Sequence, residues 1–294
     1  MKSDRSATVD ALRGVAIAGV IGFHLFAVPV TATPLASGLS LVFRGGFLGV
    51  DLFFVVSGYL LGGQLFDYLG QPGTLVTFYG RRIARIWPLY LLFLAFGAAL
   101  GMDMNWLALL TMTQNIVWAH PGAEAGFAAM TWSLAVEEQF YLLLPLLIWA
   151  TPRNRIPLLL YALIGASFAL RLLLMARGET FAARILMPCN LGALLAGVVL
   201  AHATRYRGLV LPTVPSPAWL RWLGRRSYAI YLFQRVEIIL PHDFAGGALC
   251  VILVLAIAEI LHRLVERPIH AWARRRFVYG RVKMYSQVEP ILVK

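Results

Sequence analysis

The stretch ALRGVAIAGVIGFHLFAVPV, residues 11–30, is apolar enough to lie in a bilayer, yet it carries an arginine at position 13 and a histidine at position 24. About 20 mostly apolar residues suffice for a helix to cross the hydrocarbon core. Ionisable groups inside such a segment are costly and normally face the interior of a helix bundle or a water-filled cavity. Eleven residues at about 100° each return to within about 20° of the starting direction, so Arg13 and His24 share one helix face, about 16 Å apart along the axis. A plainer reading exists for both: Arg13 can snorkel to the interface, and His24 can bond a neighbouring helix. The preceding MKSDRSATVD resembles the start of a signal peptide. No small-residue cleavage site closes the apolar run, so an uncleaved first span is expected.

The rest of the chain repeats this pattern. Of 294 residues, 60% are hydrophobic and only 14% charged, far short of the roughly 25% charged residues of a soluble domain. Apolar stretches at about 11–30, 46–66, 86–103, 132–150, 156–176, 184–203, 226–241 and 246–264 predict an all-α, polytopic transmembrane helical bundle of about eight spans. A further run, 106–118, is too short to cross and reads as a re-entrant or interfacial helix, although crossing there would raise the count toward ten. The net charge of +12 does not point to nucleic acid, because the lysines and arginines sit in short clusters between apolar runs. Lys2 and Arg5, Arg81 to Arg85, Arg153 and Arg155, Arg205 and Arg207, Arg221 to Arg226 and Arg263 to Arg276 all fall on one side if eight spans leave both termini in the cytoplasm. One membrane domain, 1–276, is therefore expected, with a short frayed cytoplasmic tail at 277–294. Cys189 and Cys250 lie in separate apolar segments, as buried small hydrophobes rather than a disulfide or a metal site. No internal repeat is visible.

Several further polar residues lie inside the spans. GGFLGVD, residues 45–51, brings Asp51 into the second span behind glycines that permit close helix approach. Ser57 lies further along and can simply bond the preceding turn. TWSLAVEEQFY, residues 131–141, opens another span with Glu137 and Tyr141 at i and i+4 on one face. Acids near a helix start also suit the positive end of its dipole. Counted from the outer ends of their spans, His24, Asp51 and Glu137 all fall roughly 7–9 Å deep, so a histidine oriented by either carboxylate is a candidate general base. FYGRRIARIWP, residues 78–88, holds Arg82 and Arg85 three apart, able to grip one phosphorylated group, though basic loops carry such pairs routinely.

Taken in order, LRG at 12–14 with FH at 23–24, GFLGVDLFFVVSG at 46–58, RxxR at 82–85 before WP, and WSL through Glu137 to FY at 132–141 resemble acyltransferase family 3, the bacterial integral-membrane O-acyltransferases. SYAIYL at 227–232 and ERP at 266–268 are weaker echoes. The resemblance implies an acyl-CoA co-substrate, usually acetyl-CoA, used at the cytoplasmic face of the inner membrane. It also implies a carbohydrate or glycolipid acceptor whose hydroxyl often lies beyond the membrane. Carried onto this chain, the family's first-helix arginine–histidine pair is Arg13 and His24, and its cytoplasmic arginine motif is Arg82 and Arg85. The residues themselves then point to His24 as the base or transient acyl carrier, oriented by Asp51 or Glu137. Arg13, Arg82 and Arg85 are expected to bind the donor, with Ser57, Trp132 and Tyr141 as expected substrate contacts. Members commonly have about ten spans, and Gln234 stands where many carry a histidine.

Two other functions fit a polar-cored bundle. A proton-coupled transporter or flippase would use His24, Asp51 and Glu137 as a proton relay, but the missing internal repeat speaks against it. A non-catalytic scaffold leaves the intramembrane charges without a purpose. Acceptor choice is expected to reside in the loops 31–45 and 119–131, where Trp118, His120, Pro121 and Phe127 could stack on a sugar or anchor at the interface.

Overall fold

A chain in hydrocarbon has no water to satisfy its amides, so apolar runs resolve into helices that bond internally. The computed structural model describes residues 2–26, 45–68, 70–71, 73–212, 216–235 and 244–278, and among them it contains helices and no strand. In order these are α1 (Lys2–Phe26), α2 (Leu48–Tyr68), α3 (Thr74–Ala99), α4 (Trp106–Leu110), α5 (Gln114–Trp118), α6 (Trp132–Ala150), α7 (Ile156–Ala176), α8 (Thr180–Ile185), α9 (Met187–Tyr206), α10 (Ala218–Phe233), α11 (Phe244–Leu261) and α12 (Arg267–Arg276). With their lead-in turns, six are long and apolar enough to cross a membrane: 7–24, 45–68, 74–99, 129–150, 153–176 and 180–206. The protein is a multi-pass membrane helical bundle. The expected count of eight is not reached by this measure: α10 has only 16 residues, and 236–243 beside α11 lies outside the described residues.

Small residues set the closest helix approaches. A Cβ on Gly46 would overlap the carbonyl of Gly19, and one on Gly49 that of Ala16, so α2 crosses α1 backbone to backbone. Gly58 against Leu194 and Gly197 against Val55 bring α2 and α9 together in the same way. Gly224 seats α10 on α1 at Asp10. Without a hydrophobic force between helices in lipid, such close packing is what holds them. Around it lies a core in which Phe54, Tyr90, Phe93 and Phe140 are fully buried. The helix α7 turns most of its surface outward, with Leu158, Phe168 and Leu172 exposed where lipid would lie, and Ser167 Oγ accepts the Gly192 amide at 3.1 Å to fasten it to α9.

The basic clusters gather at one end of the bundle. Arg205 forks onto Asp67 at 2.7 and 2.8 Å, Arg225 lies 3.7 Å from Asp10, Glu259 accepts from Arg226 and Arg263, and Arg81 donates to the Phe277 carbonyl at 2.8 Å. The start of the expected tail is thus tied to α3; 279–294 lies outside the described residues.

Two expected boundaries shift. The third span starts at Thr74 rather than near residue 86, because Thr74 to Arg85 form amphipathic turns that average hydropathy does not register as part of a crossing. Segment 106–118 does not cross: it breaks into two five-residue helices at Met112, whose φ is 54°. Gln139 on α6 pins the break by donating to the Met112 carbonyl and to Asn115 Oδ1, both at 2.8 Å. Cys189 and Cys250 are buried and unlinked.

Candidate active site

The i, i+4 pair on α6 builds the first half of the site. Glu137 Oε1 accepts from Ser57 Oγ on α2 at 3.0 Å, its Oε2 accepts from Tyr141, and the Tyr141 hydroxyl also reaches Ser57 Oγ at 3.3 Å. Arg82, buried, stacks over Tyr141 at 5.5 Å and Phe78 at 5.8 Å while donating to Gln64 at 3.2 Å. These residues wall a cavity of about 770 Å³, mouth included, toward the basic end of the bundle. Arg13, Ser57, Arg82, Arg85, Glu137 and Tyr141, all singled out in the sequence, line this one chamber. The first helix's arginine and the Arg-x-x-Arg pair therefore meet, although they lie on α1 and α3.

His24 opens into a second cavity, of about 750 Å³. Phe23, Phe47, Trp132, Phe181 and Arg184 line it, and His24 sits edge-on to the Phe23 ring at 5.4 Å. Among the described residues no hydrogen bond joins His24 to Asp51 or to Glu137. The charged groups within electrostatic reach of His24 are instead Arg184 and Arg235. Depth explains why Glu137 is absent. Its partner Ser57 lies eleven residues down α2 from Gly46, which crosses α1 at Gly19, so Glu137 stands about 16 Å below that crossing. His24 is five residues above it. Equal depth, counted from the ends of apolar runs, assumed that the helices start at one height, and the glycine crossing sets a different register. Asp51 borders neither cavity and is half-buried with Arg171 and Arg184 as its charged neighbours.

Val50 and Tyr231 line both cavities and divide them. The Tyr231 hydroxyl is 2.6 Å from Ser133 Oγ and donates to the Met130 carbonyl at 2.5 Å, which fixes the ring. Tyr228, one turn earlier, donates to the Ile86 carbonyl at 2.8 Å across the inner chamber. The SYAIYL run contained both tyrosines at i and i+3, but no sequence pattern marks one of them as a partition. Gln234 is buried beside Cys250, and among the described residues its side-chain amide finds no partner. Glu138, next to Glu137, is bonded by Trp87 and keeps one oxygen buried without a partner among the described residues. Beyond the spans, a π-helical turn His262–Glu266 puts His262 Nδ1 2.6 Å from buried Glu266. On α12, burial with Arg85 nearby pushes His270 down to about 4.

Of the two loops expected to choose the acceptor, 31–44 lies outside the described residues. In the other, Phe127 stacks on Phe93 at 4.7 Å and Trp118 is buried, so these rings serve the core and not a sugar face.

Residues 6–181 match the model of a family described as an acyltransferase domain. O-acetyltransferase OatA of Staphylococcus aureus (strain NCTC 8325 / PS 47) is 36% identical over 162 residues, covering 48% of this chain and 24% of that protein. A putative membrane-bound transacylase, BcsY, of Komagataeibacter xylinus is 34% identical over 188 residues, covering 56% of this chain and 43% of that protein. The matches thus span less than half the length of either relative. No solved structure matches. The family match contains Arg13, Ser57, Arg82, Arg85, Glu137 and Tyr141, whereas Tyr228, Tyr231 and Glu266 lie beyond it.

Proposed function

Because the chain belongs to the acyltransferase-domain family, we propose that it is a membrane-bound O-acyltransferase that moves an acyl group, acetyl as the simplest case, from acyl-CoA to a hydroxyl of a cell-surface or exported carbohydrate. The observation that carries this reading is the pair of chambers meeting at Val50 and Tyr231, one walled by Arg13, Arg82 and Arg85, the other holding His24. Guanidinium groups suit phosphate, with which they form paired, charge-assisted bonds. The basic end faces the cytoplasm, in keeping with the charge rule, so both termini lie on the cytoplasmic side of the inner membrane.

In this reading Arg82 and Arg85 hold the CoA phosphates at the mouth of the inner chamber. Arg13 guides the pantetheine arm, whose extended length is comparable to the roughly 16 Å between Arg13 and His24 on α1. Ser57 and Tyr141 contact the donor, and Trp132 contacts the acceptor in the outer chamber. His24 takes the proton of the acceptor hydroxyl while that oxygen attacks the thioester carbonyl. The carbon–sulfur bond breaks, and the leaving thiolate recovers the proton from His24. A positioned base of this kind contributes about 10² to 10⁴-fold in rate. Glu137 serves the donor wall, balancing Arg13, and Asp51 tempers the cations around the outer chamber.

The test is transfer of label from acetyl-CoA to carbohydrate by the purified protein in lipid nanodiscs. The wild type should release CoA and label the glycan, and His24→Ala should lose about 10² to 10⁴-fold of this without losing its fold. Transfer that survives His24→Ala removes the base. A trapped acyl-histidine replaces it with an acyl-carrier route. Proton-linked solute movement without CoA release would instead favour the transporter reading.

A further inference from the structure

Electrostatics in the outer chamber run against those of a neutral sugar site. Arg184 lines it with an exposed side chain, and its guanidinium lies 6.0 Å from the centroid of Phe23, the ring that packs edge-on against His24. Among the described residues that guanidinium makes no ion pair. Among the described residues the charged groups that His24 feels are Arg184 and Arg235, while Asp51 feels Arg171 and Arg184. Arg184 is exposed to this space and shares Asp51 with Arg171, so its guanidinium stays open to an arriving anion.

The position is also built rather than incidental. Buried Asn190 donates from Nδ2 to the Arg184 carbonyl at 2.9 Å and to the Leu186 carbonyl at 2.8 Å. Buried Asn115 donates to the neighbouring Ile185 carbonyl at 3.1 Å. Two asparagines from α9 and α5 thus hold the end of α8 so that Arg184 borders the same space as His24.

We infer that the acceptor is an acidic carbohydrate, one whose carboxylate or phosphate is bound by Arg184 close to the hydroxyl that reacts. The inference rests on the acyl-transfer reading for what happens next, but binding itself can be measured without turnover. Rings of Phe47, Trp132 and Phe181 would cover the apolar faces of the sugar while the guanidinium takes its charge. Selectivity then follows from charge near the reacting centre rather than from hydroxyl pattern alone.

The experiment uses the full chain in nanodiscs with two matched acceptor pairs: a hexose 1-phosphate against the methyl hexoside, and a uronic-acid oligosaccharide against its carboxyl-reduced form. Calorimetry should give tighter binding of the acidic member of at least one pair by about 10- to 100-fold, the scale of a charge-assisted hydrogen bond. Arg184→Gln should erase that difference and Arg184→Lys should keep part of it, each checked for folding by size exclusion. Equal binding of acidic and neutral members by the wild type overturns the inference even if Arg184→Gln does not fold. A preference that survives Arg184→Gln overturns it as well. Acetyl-CoA consumption, read in the same samples, reports separately on the acyl-transfer reading: preferential binding without any CoA release leaves the anion site standing and removes the reaction.

Discussion

The two chambers differ in how their polar groups are occupied. In the inner one, Glu137, Ser57, Tyr141, Arg82 and Gln64 are bonded to one another across α2, α3 and α6, and Tyr228 is anchored to the Ile86 carbonyl. In the outer one, His24 and Arg184 stand among aromatic rings with no ion pair among the described residues. Buried polar groups are ordinarily satisfied, because leaving one unmade costs about 1–3 kcal/mol. Most of the inner chamber's wall meets that rule internally and is preformed, with Ser227 Oγ an exception among the described residues. In the outer chamber His24 and Arg184 are exposed and stay open to whatever enters. In the proposed mechanism this contrast separates residues that shape the site from residues that act in it, with Glu137, bonded to Ser57 and Tyr141, in the first group.

The largest effect expected within the inner chamber comes from removing a cation that the wall does not itself consume. Arg85 lines the cavity, and unlike Arg82 it is not stacked between rings. Arg85→Ala should raise the KM for acetyl-CoA by about 10- to 100-fold, the scale of a charged hydrogen bond, with kcat little changed. Steady-state kinetics with varied donor decide it. A fall in kcat at unchanged KM would place Arg85 outside donor binding and undo the division between the chambers.

A smaller effect is expected at the partition. Tyr231→Ala would join the two cavities, and longer acyl-CoAs should gain several-fold in kcat/KM relative to acetyl-CoA. Tyr231→Phe keeps the ring and loses only the bonds to Ser133 and Met130. It should cost about 1 kcal/mol of stability in thermal unfolding and leave chain-length preference alone. If the two variants give the same chain-length profile, the ring is not the divider.

Much of this could be read from residue order. The spans at 132–150 and 156–176 coincide with α6 and α7, because long uniform apolar runs leave few alternatives. Arg13, Ser57, Arg82, Arg85, Glu137 and Tyr141 were each identifiable as polar groups out of place, and they converge. What failed was register. Depth along a helix depends on where it crosses its neighbour, and Gly19 against Gly46 is a contact between helices that hydropathy does not encode. The start of α3 at Thr74 escaped notice because its first turns are amphipathic. Nothing in the residue order marks Arg184, since its nearness to His24 exists only once α8 brings its guanidinium to the Phe23 ring.

The smallest predicted effect is on the pH dependence of α12, whose His270 feels Arg85. His270 sits on α12, outside the spans, with Arg85 beside it and Glu266 partly compensating. Burial pushes it from an ordinary 6.5 down to about 4, so the folded protein holds it neutral where an unfolded chain would protonate it. Between those values the unfolded state binds more protons, and stability therefore rises with pH. The contribution is fully present above about 6.5 and is lost progressively as pH falls toward 4. His270→Gln should flatten this part of the profile, so that thermal midpoints measured at pH 7 and pH 5 lie closer together than in the wild type. Glu266 is itself bonded to His262 at 2.6 Å, so the control is His262→Gln, which leaves the His270 ring in place. If His262→Gln flattens the profile and His270→Gln does not, the acid sensitivity belongs to the His262–Glu266 pair. The packing of α12 beneath Arg85 would then be indifferent to the charge state of His270.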